Sequence, residues 1–424
     1  MANPLEENDD VVLLLADFVD DHQYLFFAPV SSTWKNAWGW PRTTSAIMPH
    51  TTVPQLLQSF GSGLKKRKAV CEAAASLGRV DLLQCARAYG CPWPRSLYNK
   101  AARGGHGGHL DVLQWARMNA CPWHSPVCSS AAEGGHLDVL QWARSTNCPW
   151  DEETCCMAAF GGHMKVLQWA NENGCPWDKL TCALAAEGGH LEVLKWARLR
   201  SNGCPWDEGT CAGAAFEGHL DVLQWARAHG CPWDDVTCEE AARGGNLELL
   251  KWARNNGCPW NKRTCWGAAW GGNLDVLRWA RANGCLWDEM VCMGAARAGD
   301  VELVQWARDR GCPWDVQTCN EAVWRGYLGF LQWVRLAGCP WNEDTCTAAA
   351  QRGRLGMLQW LRANGCPWNN QTCSMAATRG YLDVLRWARM NGCPWFSETC
   401  TSAAAQGHLG VLQWARANGC PWDT

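Results

Sequence analysis

The amino-acid sequence predicts an all-α protein, in which a small helical N-terminal module precedes a curved helix-turn-helix solenoid. A Cys-Pro-Trp tripeptide occurs thirteen times along the 424 residues, once with Leu286 in place of proline, and ten of the twelve intervals are 27 residues long. A fixed period of this length is typical of stacked repeats. Each unit contains two short helical patterns, and residues 1–50 show no trace of the period.

The N-terminal residues are predicted to form a structure of their own. Helix-like runs at Val11–Val19 and Tyr24–Trp34 indicate a helical module or a cap over residues 1–50. Residues 51–66 are interpreted as a linker, and thirteen repeats fill residues 67–424.

One repeat, residues 151–177, illustrates the predicted elements. Asp151 suits the N-cap of a first helix, which Gly161–Gly162 ends. A second helix follows His163. Other repeats have Asn or Asp at that position, so we predict that the His163 side chain caps this helix. Pro176 then prevents the helix from continuing into the next repeat.

Repeated cysteine, tryptophan and arginine positions predict how the repeats pack. Twenty-five of the 27 cysteines lie either in the tripeptide or before an alanine pair, and we interpret them as small buried hydrophobic residues, with disulfides or zinc as alternatives. The repeated tryptophans are interpreted as packing residues. An arginine near the end of most second helices, such as Arg254, complements the helix dipole.

The composition indicates few further functions. A net charge of −3 is too balanced to indicate a nucleic-acid or membrane partner, so we expect neither. The sequence shows no phosphate loop and no nucleophile elbow, and we predict a protein that is not an enzyme and uses no metal or cofactor. We expect a cytoplasmic or nuclear monomer.

The repeats resemble ankyrin repeats. The residues that carry the resemblance are Thr210-Cys211, Ala214-Ala215, Gly218-His219-Leu220 and Val222-Leu223. The resemblance implies a stack of helix pairs that binds proteins. These units are about six residues shorter than the usual ankyrin repeat. The missing residues are those of the protruding hairpin finger, so recognition through fingers is not implied.

The N-terminal residues resemble an F-box in the spacing of Leu14, Phe18, Leu25, Val30 and Trp34. The resemblance implies docking on the adaptor of a cullin–RING ubiquitin ligase through these five residues. The usual opening Leu-Pro is absent, and a helical cap over the first repeat is the alternative interpretation.

Positions that differ between the repeats point to the recognition surface, because the other positions are fixed by stacking. The residue after the alanine pair alternates between aromatic and polar, as Phe160, Glu187, Phe216, Arg243, Trp270, Arg297 and Trp324. Beside it, Arg325, Arg352 and Arg379 form a basic run. Exposed aromatic residues next to arginine suit a protein-binding hot spot, and the basic run suits an acidic peptide. Duplication of a two-repeat unit and a solvated face are the alternatives.

We therefore predict a non-catalytic protein-interaction scaffold that binds a partner protein on the concave face of the repeat stack. The alternative function is that of an F-box-type substrate receptor in a cullin–RING ubiquitin ligase. The side chains that select a partner differ from one solenoid to another, so the sequence does not identify the partner.

Overall fold

The structure of the protein is a computed structural model that describes residues 52–61, 68–104, 108–121, 127–200 and 203–421. The module predicted for residues 1–50 lies outside these ranges. The five F-box-like positions, Leu14, Phe18, Leu25, Val30 and Trp34, therefore stay predictions.

The described residues form 27 α-helices and no β-strand, and the chain divides into two compact units, Met1–Trp206 and Asp207–Thr424. The first unit contains α1 Val53–Gly61, α2 Lys68–Ser76, α3 Val80–Ala88, α4 Leu97–Arg103, α5 Leu110–Met118, α6 Val127–Glu133, α7 Leu137–Ser145, α8 Glu152–Phe160, α9 Met164–Glu172, α10 Lys179–Glu187 and α11 Leu191–Leu199. The second unit contains α12 Glu208–Glu217, α13 Leu220–Ala228, α14 Asp235–Arg243, α15 Leu247–Asn255, α16 Lys262–Trp270, α17 Leu274–Ala282, α18 Met290–Ala298, α19 Val301–Asp309, α20 Val316–Arg325, α21 Leu328–Leu336, α22 Glu343–Gln351, α23 Leu355–Ala363, α24 Asn370–Thr378, α25 Leu382–Met390, α26 Ser397–Ala405 and α27 Leu409–Ala417.

The predicted all-helical repeat fold is confirmed. From α2 onward the helices alternate between the first and second helix of a repeat, as the period requires. Helix α1 precedes these pairs and lies within the segment that we interpreted as a linker. None of the helices in the described ranges is long and apolar enough to cross a membrane.

Most first helices begin at an Asp or Asn side chain that caps the helix. The carboxylate of Asp234 accepts a hydrogen bond from the Val236 N–H at 3.1 Å, and the Asn261 side chain accepts one from the Arg263 N–H at 2.7 Å. Asp151 occupies the N-cap position of α8, as predicted, but its side chain makes no capping bond. These caps fix where each first helix starts.

The second helices begin differently, and our prediction that His163 caps its helix is wrong. The His163 ring makes no capping bond; its Nε2 lies 2.9 Å from the carbonyl oxygen of Glu133 in the preceding repeat. The last carbonyls of a helix have no partner within it, so they attract a donor from the next repeat. Asp300, at the same position, does cap its helix: its carboxylate accepts a hydrogen bond from the Leu303 N–H at 2.9 Å. An ionised carboxylate has no hydrogen to donate, so it cannot bond a carbonyl of the preceding repeat as a histidine ring can.

The core lies between successive first helices and beneath the second helices. Within the second unit, α14 packs against both α12 and α16, and the alanine pair Ala241 and Ala242 is fully buried there. Small side chains allow the two helix backbones to approach closely. Leu250 of the second helix α15 is also fully buried, and it covers this core on the side of the second helices. All 27 cysteines are buried and none forms a disulfide bond, consistent with their interpretation as small hydrophobic residues.

Candidate partner-binding face

The predicted recognition residues all lie at the C-terminal ends of first helices. The alanine pair of each first helix points into the stack, so the residue that follows it lies at the edge of the core and is half-buried. In the first unit, Phe160 is the last residue of α8 and is 38% exposed, and Glu187 is the last residue of α10. In the second unit, Arg243 and Trp270 end α14 and α16 in the same register.

In the second unit, each aromatic residue of this register is covered by an arginine from the next repeat. The guanidinium carbon of Arg243 lies 4.4 Å from the ring centroid of Phe216. That of Arg297 lies 4.1 Å from the Trp270 ring. Each such cation–π contact contributes about 0.5–1 kcal/mol at an exposed site. The alternation of aromatic and polar residues therefore produces pairs of side chains between repeats.

A third pair uses a different arginine. Gln351 fills the position one repeat after Trp324, and the guanidinium carbon of the adjacent Arg352 lies 3.8 Å from the Trp324 ring. We call the surface formed by Phe216, Arg243, Trp270, Arg297 and Trp324 the first-helix face. The structure thus joins Arg352 of the predicted basic run to this face.

Two glutamates that the sequence analysis did not identify neutralise part of the face. Glu240 pairs with Arg243 at 2.6 Å, one helical turn away. Glu321 lies 3.0 Å from the Nε of Arg325 and 3.7 Å from Arg297. A glutamate three or four residues before an arginine on the same helix is the sequence signal that could have predicted the Glu240–Arg243 and Glu321–Arg325 pairs.

The remaining arginines of the basic run are not neutralised. Arg352 and Arg379 are exposed, and in the part of the chain that the structure describes no carboxylate lies within 4.0 Å of either guanidinium. Arg354, also close by, donates from Nη2 to the Trp324 carbonyl at 3.2 Å. Positive charge is therefore concentrated on α20, α22, α24 and the turns that follow them.

The arginines at the ends of the second helices have a structural role, and it is more specific than the dipole interaction that we predicted. Arg254 donates a hydrogen bond to the carbonyl of Cys258 in the tripeptide, and its guanidinium lies 4.3 Å from the Trp260 ring. Trp260 in turn meets Trp279 of the next repeat edge-on at 5.8 Å. These arginines use both their donors and their faces within the fold, so the first-helix face is the better candidate for recognition.

Two of the buried cysteines, Cys71 and Cys156, offer little reactivity. Burial raises the pKa of Cys71 and of Cys156 to about 12. Such thiols are protonated at neutral pH, and the thiolate is the reactive and metal-binding form. Within the described ranges, no group of three or more His, Cys, Asp or Glu residues could hold a metal ion. That the protein uses no metal, cofactor or catalytic group stays a prediction.

Comparison with known proteins gives structural matches only. No protein-family model and no curated protein matches the chain. The crystal structure of the pentatricopeptide repeat protein PPR10 in complex with an 18-nt psaJ RNA element matches with 14% identity and a TM-score of 0.33, over 87% of this chain and 66% of that one. The human ASB11 ankyrin repeat domain matches with 16% identity and a TM-score of 0.29, over 38% and 85%. The chain thus spans just under two thirds of the PPR10 chain.

The fold defines the chain as an all-helical repeat protein. Our prediction that nucleic acid is excluded as a partner is wrong, because a helical repeat protein among the matches was solved in complex with RNA. The physical reason is that the net charge of a whole chain does not report local charge. Here a net charge of −3 coexists with the exposed arginines Arg352 and Arg379.

Proposed function

We propose that this chain is a non-catalytic, ankyrin-like interaction scaffold that binds a partner protein along the first-helix face, and that this face is the concave side of the stack. One observation carries the proposal. The position after the alanine pair differs between repeats and is partly exposed, and in the second unit it contributes to three aromatic–arginine pairs, whereas the repeated cysteine and alanine positions beside it are buried.

The paired side chains have properties that suit binding. An aromatic ring that is already covered by a guanidinium has little freedom to lose, so less conformational entropy opposes association. The stacked guanidinium keeps donors at its edge, and these can bond carbonyl or carboxylate oxygens of a partner. Tryptophan and arginine are also the residues most enriched at the energetic centres of protein interfaces.

The proposal is tested by capture of partners from cell extract with the triple variant Phe216→Ala, Trp270→Ala, Trp324→Ala. We expect partner recovery to fall by about tenfold or more, because each hot-spot truncation costs about 2 kcal/mol. The matched control is Met118→Ala, Leu336→Ala, Met390→Ala. These three apolar residues are 78%, 90% and 78% exposed and lie at the ends of second helices.

Recovery should be unchanged in the control, and thermal unfolding should show that both variants remain folded. If the folded triple variant recovers the same partners as the unaltered chain, the first-helix face is not the binding surface and the proposal fails.

Sedimentation of the pure protein tests the expected monomer, and imaging of the tagged chain tests the expected cytoplasmic or nuclear location.

The F-box resemblance supports a second function, that of a ubiquitin-ligase substrate receptor, although its residues lie outside the described ranges. The test compares the intact chain with a Val30→Asp, Trp34→Ala double variant in affinity capture. Recovery of a ligase adaptor and a cullin by the intact chain only would support the receptor function. Recovery of neither by either chain would favour a simple scaffold with a helical cap.

A further inference from the structure

Three arginines occupy the same register in three consecutive repeats and in no other described repeat. Arg325 ends α20, and Arg352 and Arg379 directly follow α22 and α24. In earlier repeats of the second unit this position holds small or acidic residues, namely Glu217, Gly244, Gly271 and Ala298. We call the three residues the arginine patch. Its restriction to three repeats indicates a local function, because a stacking role would recur along the chain.

The charge of the patch is only partly neutralised. Arg325 bonds Glu321 through its Nε at 3.0 Å, whereas Arg352 and Arg379 form no ion pair in the described part of the chain. Arg352 stacks on Trp324 at 3.8 Å. Stacking uses the face of the planar guanidinium and leaves its N–H edge available, and that edge fits a carboxylate with two parallel hydrogen bonds. The Trp324 indole therefore orients the Arg352 guanidinium so that its N–H edge can bind an acidic group.

The spacing of the repeats determines which acidic ligand fits. Packed helices lie about 8–10 Å apart, so arginines in the same register of successive repeats recur at about that distance. An extended peptide advances about 3.1–3.4 Å per residue, so that three residues span one repeat. We propose that the arginine patch binds an extended acidic segment of the partner protein, with a carboxylate at every third residue.

This inference rests on the proposed function and identifies the chemistry of its partner. The aromatic residues favour a peptide over RNA. Proteins that bind single-stranded nucleic acid stack bases on open aromatic faces. Here the rings of Phe216, Trp270 and Trp324 are each covered on one face by an arginine. A base that stacks on the covered face would have to displace the guanidinium, whereas a carboxylate bonds to the edge of the guanidinium and leaves the stack in place.

The test uses the purified full chain and two fluorescent nine-residue peptides of identical composition. One peptide has three Glu-Pro-Pro units, and the other has three consecutive glutamates followed by six prolines. Both adopt the extended polyproline conformation, so only the spacing of the carboxylates differs. In fluorescence anisotropy at low salt, we expect the spaced peptide to bind about fivefold or more tightly than the clustered one.

The decisive variant is Arg352→Gln, Arg379→Gln, which should weaken binding of the spaced peptide by about tenfold. The control Arg278→Gln, Arg386→Gln removes the same charge from exposed arginines on the second helices and should change binding by less than about twofold. Equal binding of the two peptides, or an equal loss in the control, would show non-specific attraction and overturn the inference. A single-stranded RNA that binds more tightly than the spaced peptide through Arg352 and Arg379 would also overturn it.

The two proposals fail in different ways. If the chain captures its partner through Phe216 and Trp270 but does not distinguish the two peptides, the proposed function stands and the acidic-segment inference fails. If the spaced peptide binds through the arginine patch but the aromatic triple variant captures partners normally, then the patch stands and the larger first-helix face is wrong.

Discussion

The thiol of Cys258 donates a hydrogen bond to the backbone carbonyl of Asp234, with a sulfur–oxygen distance of 3.3 Å. Asp234 is the N-cap residue of α14, and Cys258 follows α15, so the bond joins the start of a first helix to the end of its second helix. The same bond recurs 24 residues apart in the other second-unit repeats. The tripeptide cysteine is thus both a buried apolar side chain and a donor that closes the repeat.

Removal of this thiol should therefore destabilise the repeat. We expect Cys258→Ala to lower the free energy of unfolding by about 1–2 kcal/mol, because both a buried sulfur and its hydrogen bond are lost. Urea unfolding of the pure protein measures the change. Cys85→Ala is the control, since Cys85 is also buried but lies outside both cysteine ladders. An equal loss in the two variants would mean that the bond contributes nothing.

Two glycines with the same backbone conformation should respond differently to alanine. Gly257 has a φ of +83° and Gly245 one of +79°, both in the left-handed region. A Cβ at Gly257 would meet no atom within 4 Å, whereas a Cβ at Gly245 would lie 2.7 Å from the Oδ1 of Asn273. We expect Gly257→Ala to cost about 1 kcal/mol from the backbone alone, and Gly245→Ala about 1–2 kcal/mol more. Equal thermal stabilities of the two variants would contradict the steric argument.

The starts and ends of the helices could be predicted from the sequence, and contacts between repeats mostly could not. Asp234 and Gly257 identify a helix start and a helix end because capping and left-handed conformations are local properties. The partner of His163, in contrast, is a carbonyl 30 residues earlier. That contact depends on how one repeat stacks on the next, and a preference for helix starts gives no information about stacking.

In the first-helix face, too, the positions of the residues were predicted and their contacts with the next repeat were not. The register of Phe216 and Trp270 was predicted because this position differs between the repeats, whereas the positions fixed by stacking do not. The cover that Arg243 provides for Phe216 was not predicted, although the spacing of 27 residues between them is one full repeat. Residues separated by one period become neighbours in a stack, so comparison of each position with the next repeat would have found this pair.

Asn273 should stabilise the interface between repeats more than a similar asparagine within one. Its Nδ2 donates to the carbonyls of Ala242 and Arg243 in the preceding repeat, at 3.0 and 2.8 Å. Asn283, which is exposed, bonds only the Trp279 carbonyl one turn earlier at 2.8 Å. We expect Asn273→Ala to cost about 1–2 kcal/mol and Asn283→Ala less than about 0.5 kcal/mol. Hydrogen exchange of the α14 and α16 amides should rise in the first variant only, and protection that stays unchanged would argue against a bond between repeats.

Stability should fall in mild acid because of His136. This side chain is only 7% exposed, and burial lowers the pKa of its imidazole below the usual value of 6.5. The unfolded chain therefore binds a proton at a higher pH than the folded chain does. The free energy of unfolding rises with pH wherever the unfolded state binds more protons. The contribution of neutral His136 is thus complete above pH 6.5 and decreases as the pH falls below that value.

His136→Asn isolates this effect, because Asn246 and Asn273 occupy the same position in other repeats and do not titrate. We expect the pH dependence of unfolding between about pH 7 and pH 5 to be shallower in the variant, by at most about 1.4 kcal/mol per pH unit, the limit for one proton. Urea unfolding at a series of pH values measures the difference. A lowered pKa of His136 requires the free energy of unfolding of the unaltered chain to fall relative to that of the variant as the pH falls. Parallel curves would show that His136 stabilises the repeat through packing alone.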